Sequence, residues 1–239
     1  MSKLYLFPNV LDPEDKEGLW LPACLGTLVA QIEGLIAESE KGGRRFLRRF
    51  QFPSPKTFRD IPIRLLNEHS QRGALDELLA PLLKGESWGL VSDCGMPCLA
   101  DPGRDLVLKA RQKGISIQAV SGPSSLLLAL VASGLEAQRF AFHGYLPKEE
   151  GNLIKTLRQL EERSQKEKAT QLFIEAPYRN EKTLISILNA LNDKTLLCLA
   201  TDLSMPSEQV LTRSIGEWKK RSGGSIHQRP TIFLICTLF

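Results

Sequence analysis

The chain has 239 residues, 42% hydrophobic and 24% charged, with 31 Lys and Arg against 27 Asp and Glu for a net charge of +4. That balance describes a folded globular protein, excludes a disordered one, and allows one large domain or two smaller ones. The longest apolar run, LLLALVA at 126–132, is too short to cross a bilayer, so no membrane span is expected.

In chain order, KLYLFP (3–8) reads as a short buried strand stopped by Pro8, and an apolar helical pattern follows around 20–32. GLIAES (34–39) reads as a second strand and GGRRFLRRF (42–50) as a short amphipathic helix. Residues 53–74, with three prolines, read as loop, and ALDELLAPLLKG (74–85) as a helix interrupted near Pro81 and closed by Gly85. WGLVS (88–92) and SIQAV (116–120) are strands, each followed by a helix, PGRDLVLKARQKG to Gly114 and SSLLLALVASG to Gly134. Two successive strand–loop–helix units predict a parallel sheet covered by helices, its loops opening at the carboxyl ends of the strands, where such sheets bind ligands.

Beyond FAFHGYLPKEEG (140–151) the pattern changes. A charged helix over 151–167 precedes a strand in TQLFIEA and a helix in NEKTLISILNALN. TLLCLATDL, EQVLTRSI and PTIFLICTL read as three further strands, with a short helix around Glu217–Arg221. The expected fold class is α/β: a mainly parallel domain over 1–144 and a mixed-sheet domain over 145–239.

Five scattered cysteines imply no disulfide framework. Cys94 and Cys98 are spaced C-x3-C, and His69, His143 and His227 stand far apart without paired spacing, so no metal is expected. The start, MSKLYLFPNVLDPED, lacks the makeup of a signal peptide, which points to the cytoplasm.

Two loops carry the densest chemistry. In VSDCGMPCLADPG (91–103), Asp101 and Pro102 suit the N-cap and first position of the following helix. The first half instead offers small residues that let a ligand approach the backbone, with Cys94 and Cys98 as small wall residues and no Lys, Arg or His within the loop to activate a thiol. In VSGPSS (120–125), Ser124 and Ser125 can cap the next helix or offer hydroxyl and amide groups to a ligand at its positive end. Arg44, Arg45, Arg48 and Arg49 around Phe46 and Phe50 read either as the solvated face of an ordinary helix or as phosphate-binding charge beside an apolar anchor. His143 reads as structural, and Arg179 as a partner for an anionic substrate or for a carboxylate.

SDCGMPCLADPG, VSGPSSLLLALVASG, RFAFHGYLP and LFIEAPYRNEKTL, in this order and spacing, resemble the tetrapyrrole methylase superfamily. Within it they look most like the ribosomal small-subunit methyltransferase I family, of which this chain would be a short, divergent member. The resemblance implies two α/β domains with S-adenosyl-L-methionine in the cleft between them, a homodimer, and ribose 2'-O-methylation of 16S rRNA in the 30S subunit. Carried over by position, the cofactor contacts are Pro8, Asp93, Cys94, Gly95, Met96, Leu99, Ser124 and Ser125, then Ile174, Glu175, Ala200 and Pro230. Glu38 and Glu175 are the candidate general bases; Arg44, Arg45, Arg48, Tyr178 and Arg179 are substrate-binding candidates. The chain departs from the family pattern in LFPNVLDPED, which lacks a glycine, in AESEKGGRR, which keeps Glu38 but not the following Asp, and at Tyr178, where His is usual. Those departures leave two rival readings: a small-molecule or protein acceptor, and a non-catalytic RNA-binding relative.

Overall fold

Alternation along three short strands builds the first core. In β1 (Lys3–Phe7), Tyr5 and Phe7 face one cluster and Leu4 the other. In β2 (Gly34–Ala37), Leu35 and Ala37 face the first and Ile36 the second; in β4 (Trp88–Val91), Val91 faces the first while Trp88 and Leu90 face the second. Side chains that alternate at period two and are apolar on both faces demand cover on both sides, the signature of a parallel sheet. The computed structural model, which describes residues 2–16, 18–67, 73–221 and 223–237, shows that sheet. Its order is β3-β2-β4-β1-β5, all parallel, with β3 at Ile63–Leu65 and β5 at Ser116–Ala119.

Helices α1 (Leu25–Ala30) and α2 (Glu40–Leu47) cover the first face through Leu25, Val29, Phe46 and Leu47. Helices α3 (Ala74–Leu83) and α4 (Arg104–Gln112) cover the second through Leu78, Leu79, Leu82, Leu106 and Ala110. Phe7 stacks between Tyr5 and Phe46, at ring-centroid distances of 5.4 and 5.9 Å. The Phe7 ring reaches over Gly89, where an added Cβ would come within 2.5 Å of it. Glycine in this strand makes room for the aromatic stack.

The second sheet is mixed, in the order β6-β7-β10-β8-β9. Strands β6 (Phe140–Tyr145) and β7 (Thr170–Ile174) are parallel; β10 (Thr231–Cys236) runs antiparallel to β7 and to β8 (Leu196–Thr201), as β8 does to β9 (Gln209–Ser214). Phe173 and Phe233, stacked at 5.3 Å, centre its core beneath α6 (Glu150–Glu167), α7 (Asn180–Ala190) and the single turn α8 (Ile215–Trp218). His143 Nε2 lies 2.7 Å from Gln171 Oε1.

Four expectations change. The two compact units are Met1–Ser124 and Ser125–Phe239, so the division falls at 124/125 rather than at 144. The reason is that α5 (Ser125–Ser133) packs against β8, β9 and β10, and β6 joins the second sheet. Residues 63–65, within the expected loop, form β3 because Ile63–Leu65 pair with Leu35–Ala37; residues 68–72, including His69, lie outside the described residues, as does Leu238. Helix α3 runs through Pro81 without interruption. A proline leaves the carbonyl four residues back unpaired, and Arg64 Nη1 donates to that carbonyl, of Glu77. Lastly, Asp101 does not cap α4. The N-cap is Gly103 at φ 139°, since the chain turns through positive φ at Cys98 and Ala100 before the helix can begin at Arg104.

Candidate functional site

The loops that follow β1, β2, β4 and β5 leave the carboxyl edge of the parallel sheet, where β1 lies between β4 and β5. Asn9, directly after Pro8, ties two of them together. Its side chain is 1% exposed. Its Nδ2 donates to Ser92 O at 2.9 Å and Asp93 O at 3.1 Å, and its Oδ1 accepts from the Val10 amide at 2.9 Å. The Asn9 amide also donates to Gly95 O at 2.8 Å. A buried amide with donors and acceptors all used is a rigid joint. The single-letter run FPNV gave no sign of it; the only available signal was an amide beside a strand end.

From β2, Glu38 Oε2 accepts from the Asp93 amide at 3.2 Å. Ser39 caps α2 by accepting from the Gly42 amide at 3.0 Å, and its hydroxyl lies 2.9 Å from Asp93 Oδ1. An added Cβ on Gly42 would fall 1.8 Å from that carboxylate oxygen, so the bare backbone there lets Asp93 approach. From β5, Gly122 sits against the Pro8 ring, where a Cβ would meet Pro8 Cβ at 2.1 Å, and Pro123 O lies beside Gly95. Gly95 itself has φ 68°. Met96 and the half-exposed Leu99 continue the same loop, and Ser124 is buried immediately before Ser125 opens α5.

Glu38 and Asp93 both bear on the Asp101 carboxyl here. Burial first, then repulsion from Glu38, pushes the Asp101 carboxyl up to about 6, against a stabilising hydrogen bond with Ser92. A carboxyl whose folded pKa exceeds its unfolded value near 3.9 costs stability as pH rises through that window. Asp101→Asn should therefore raise Tm at pH 7, with the gain vanishing below about pH 4; melting curves across that range check it. Burial, with Asp101 second, also pushes the thiols of Cys94 and Cys98 up to about 11. Both are free thiols, and Cys94 Sγ donates to Leu11 O at 3.3 Å.

In the second unit, Ile174 and Ala200 flank Ile232 on either side of β10, and Pro230 precedes that strand, its carbonyl accepting from the Asp202 amide at 2.9 Å. Glu175 is buried and fully engaged. It pairs with Arg179 at 3.2 Å and accepts from the Ala176 amide and the Thr183 hydroxyl. Arg179 thus takes the carboxylate alternative, while Tyr178 is 61% exposed. The arginines of α2 divide. Arg44 Nη1 donates to Phe58 O and Ile61 O, and Arg49 donates to Asp15 O, so both hold loops. Arg48 is exposed and Arg45 half-buried, with a charge felt at Cys94. Among the described residues no group of three or more His, Cys, Asp or Glu is arranged to hold a metal, and no helix is long and apolar enough to cross a membrane.

Residues 31–219 match the family of Tetrapyrrole (Corrin/Porphyrin) Methylases. The ribosomal RNA small subunit methyltransferase I of Halalkalibacterium halodurans is 31% identical over 189 residues, 78% of this chain and 61% of that protein. Its namesake from Synechocystis sp. is 31% identical over 209 residues, 87% of this chain and 70% of the relative; that from Streptococcus pyogenes serotype M6 is 35% identical over 187 residues, 78% and 61%. The chain therefore spans about three-fifths of the length of two of these relatives. In fold it is similar to a cobalamin biosynthetic enzyme, cobalt precorrin-4 methyltransferase, with a TM-score of 0.59 at 13% identity over 98% of this chain and 94% of the other. With its parallel and mixed sheets and its match over residues 31–219, the chain belongs to the tetrapyrrole methylase family, in the branch of the ribosomal RNA small subunit methyltransferases I.

Proposed function

We propose that this chain is an S-adenosyl-L-methionine-dependent methyltransferase acting on a ribose 2'-oxygen of 16S rRNA. The observation that carries the reading is the convergence of Pro8, Glu38, Asp93, Gly95 and Gly122 at one sheet edge, in a family of methylases. These residues fit the cofactor. Gly95 and Gly122 carry no side chain, so the loops after β1, β4 and β5 close directly on one another, and the carboxylates of Asp93 and Asp101 complement a cationic sulfonium and ammonium. When bound, the cofactor supplies a methyl group already activated toward attack, so the protein's work is alignment and proton removal.

The loop Asp93–Leu99, locked by Asn9 and Glu38, supplies cofactor contacts, with Ser124 and Ser125 adding hydroxyl groups. Glu175 is committed to Arg179, which leaves Glu38 as the carboxylate open to take a proton from the acceptor. The relatives, named as ribosomal RNA methyltransferases, support ribosomal RNA as acceptor, and the family resemblance supports a cytoplasmic homodimer. Calorimetric titration is expected to show binding of S-adenosylmethionine and S-adenosylhomocysteine. Labelled cofactor is expected to pass its methyl to undermethylated 30S subunits and not to free tetrapyrroles. No binding of either cofactor form to the folded protein would sink the reading, and transfer to a tetrapyrrole alone would replace the acceptor.

A further inference from the structure

Between Lys41 and Arg59 the chain carries seven Lys and Arg and no Asp or Glu, more positive charge than the net +4 of the whole molecule. The structure gathers this segment with the loop before α1 into one face of the first unit. Arg49 donates to Asp15 O, and a Cβ on Gly18 would lie 3.7 Å from Arg49 Cδ. The Leu21 amide closes a turn on Gly18 O at 2.9 Å, and Leu21, Phe50 and Phe58 pack on the same core cluster. That turn holds Leu19 and Trp20 outward, 74% and 62% exposed. Across the face, the guanidinium groups of Arg48 and Arg59 lie 5.9 and 5.3 Å from the Phe58 ring centroid, and Arg44 pins the Phe58 carbonyl.

We infer that this face binds a single-stranded segment of RNA, with Trp20 stacking on an unpaired base and Arg45, Arg48 and Arg59 neutralising successive phosphates. The inference rests on the reading of ribosomal RNA as acceptor and names where and in what form that RNA is held. An exposed indole offers nothing to a duplex, whose bases are stacked on one another, but matches the open face of an unpaired base. Lipid is a poorer match, because the apolar side of α2, Phe46 and Leu47, is buried in the core and leaves no apolar helix face to insert. An acid-free run of cations beside an aromatic platform is the complement of a flexible polyanion.

The test uses fluorescence anisotropy with a labelled single-stranded RNA and with the same sequence as a duplex, on the full chain. Trp20→Ala is expected to weaken single-strand binding about tenfold and Trp20→Phe by no more than about threefold. The double variant Arg48→Ala/Arg59→Ala is expected to flatten the slope of log K against log salt by about 1.4. The exposed Arg163 of α6, remote in sequence from this face, serves as control, with Arg163→Ala binding as wild type. Wild-type affinity in both Trp20→Ala and the double arginine variant would overturn the inference, as would duplex binding as tight as single-strand binding. Titration of each variant with S-adenosylmethionine separates the two proposals. Intact cofactor binding without any RNA affinity defeats this face alone. Trp20-dependent RNA binding without methyl transfer to 30S subunits defeats the acceptor assignment and leaves the face standing.

Discussion

Glu38→Gln is expected to lower turnover at saturating S-adenosylmethionine by about 10²–10⁴-fold while cofactor affinity stays near wild type. The substitution is chosen because it separates two things Glu38 does. Its Oε2 accepts from the Asp93 amide at 3.2 Å, and the amide oxygen of glutamine can accept the same bond. The loop Asp93–Leu99, proposed to surround the cofactor, therefore keeps its anchor. What glutamine cannot do is take up the hydroxyl proton of an attacking ribose. Glu175→Gln should behave in the opposite way: it weakens the ion pair with Arg179, shows up as a lower Tm, and leaves turnover per folded molecule little changed. Single-turnover rates with labelled cofactor, measured on both variants, decide the matter. Full turnover in Glu38→Gln would remove Glu38 from the chemistry.

Asn9→Ala is expected to cost about 3 kcal/mol of stability, a large part of the 5–15 kcal/mol typical of a folded domain. The loss comes from what alanine leaves behind. The carbonyls of Ser92 and Asp93 and the amide of Val10 all lose the same partner, and the Ser92 bond is wholly buried. Asn9→Asp should be worse than Asn9→Ala at neutral pH, because its carboxylate would confront two carbonyl oxygens, and lowering the pH should recover part of the difference. Urea unfolding at two pH values measures both effects. A variant as stable as wild type would mean that the joint between the two loops is carried by the Asn9 backbone alone, through its amide on Gly95 O.

The two α/β sheets were legible because strand and helix periods speak for themselves in runs such as WGLVS and TQLFIEA. The two loops at the carboxyl edge of the first sheet were legible because GMP and GPSS are chemically unusual and sit directly after apolar strands. Four features escaped. Strand β3 is only three residues long and exists because β2 offers it an edge, a fact no local pattern encodes. The assignment of α5 to the second unit depends on which sheet covers it, since that helix is apolar almost all round. Asp101-Pro102 has the composition of a helix start, but the positive φ angles at Cys98 and Ala100 postpone the helix to Arg104. Asn9 was passed over because a lone amide in a loop looks ordinary until its four bonds are seen.

The uneven charge along the chain has a consequence for motion in solution. With seven cations between Lys41 and Arg59, residues 1–124 still total only +1, so the first unit is an electric dipole more than a positive sphere. A polyanion at a distance of several ångströms beyond contact exerts a torque on such a body before it exerts much pull. If that face binds RNA as proposed, it turns toward the nucleic acid first, and collisions in the wrong orientation are sampled less often. Added salt shortens the reach of that torque, so its first effect falls on how often an encounter is productive.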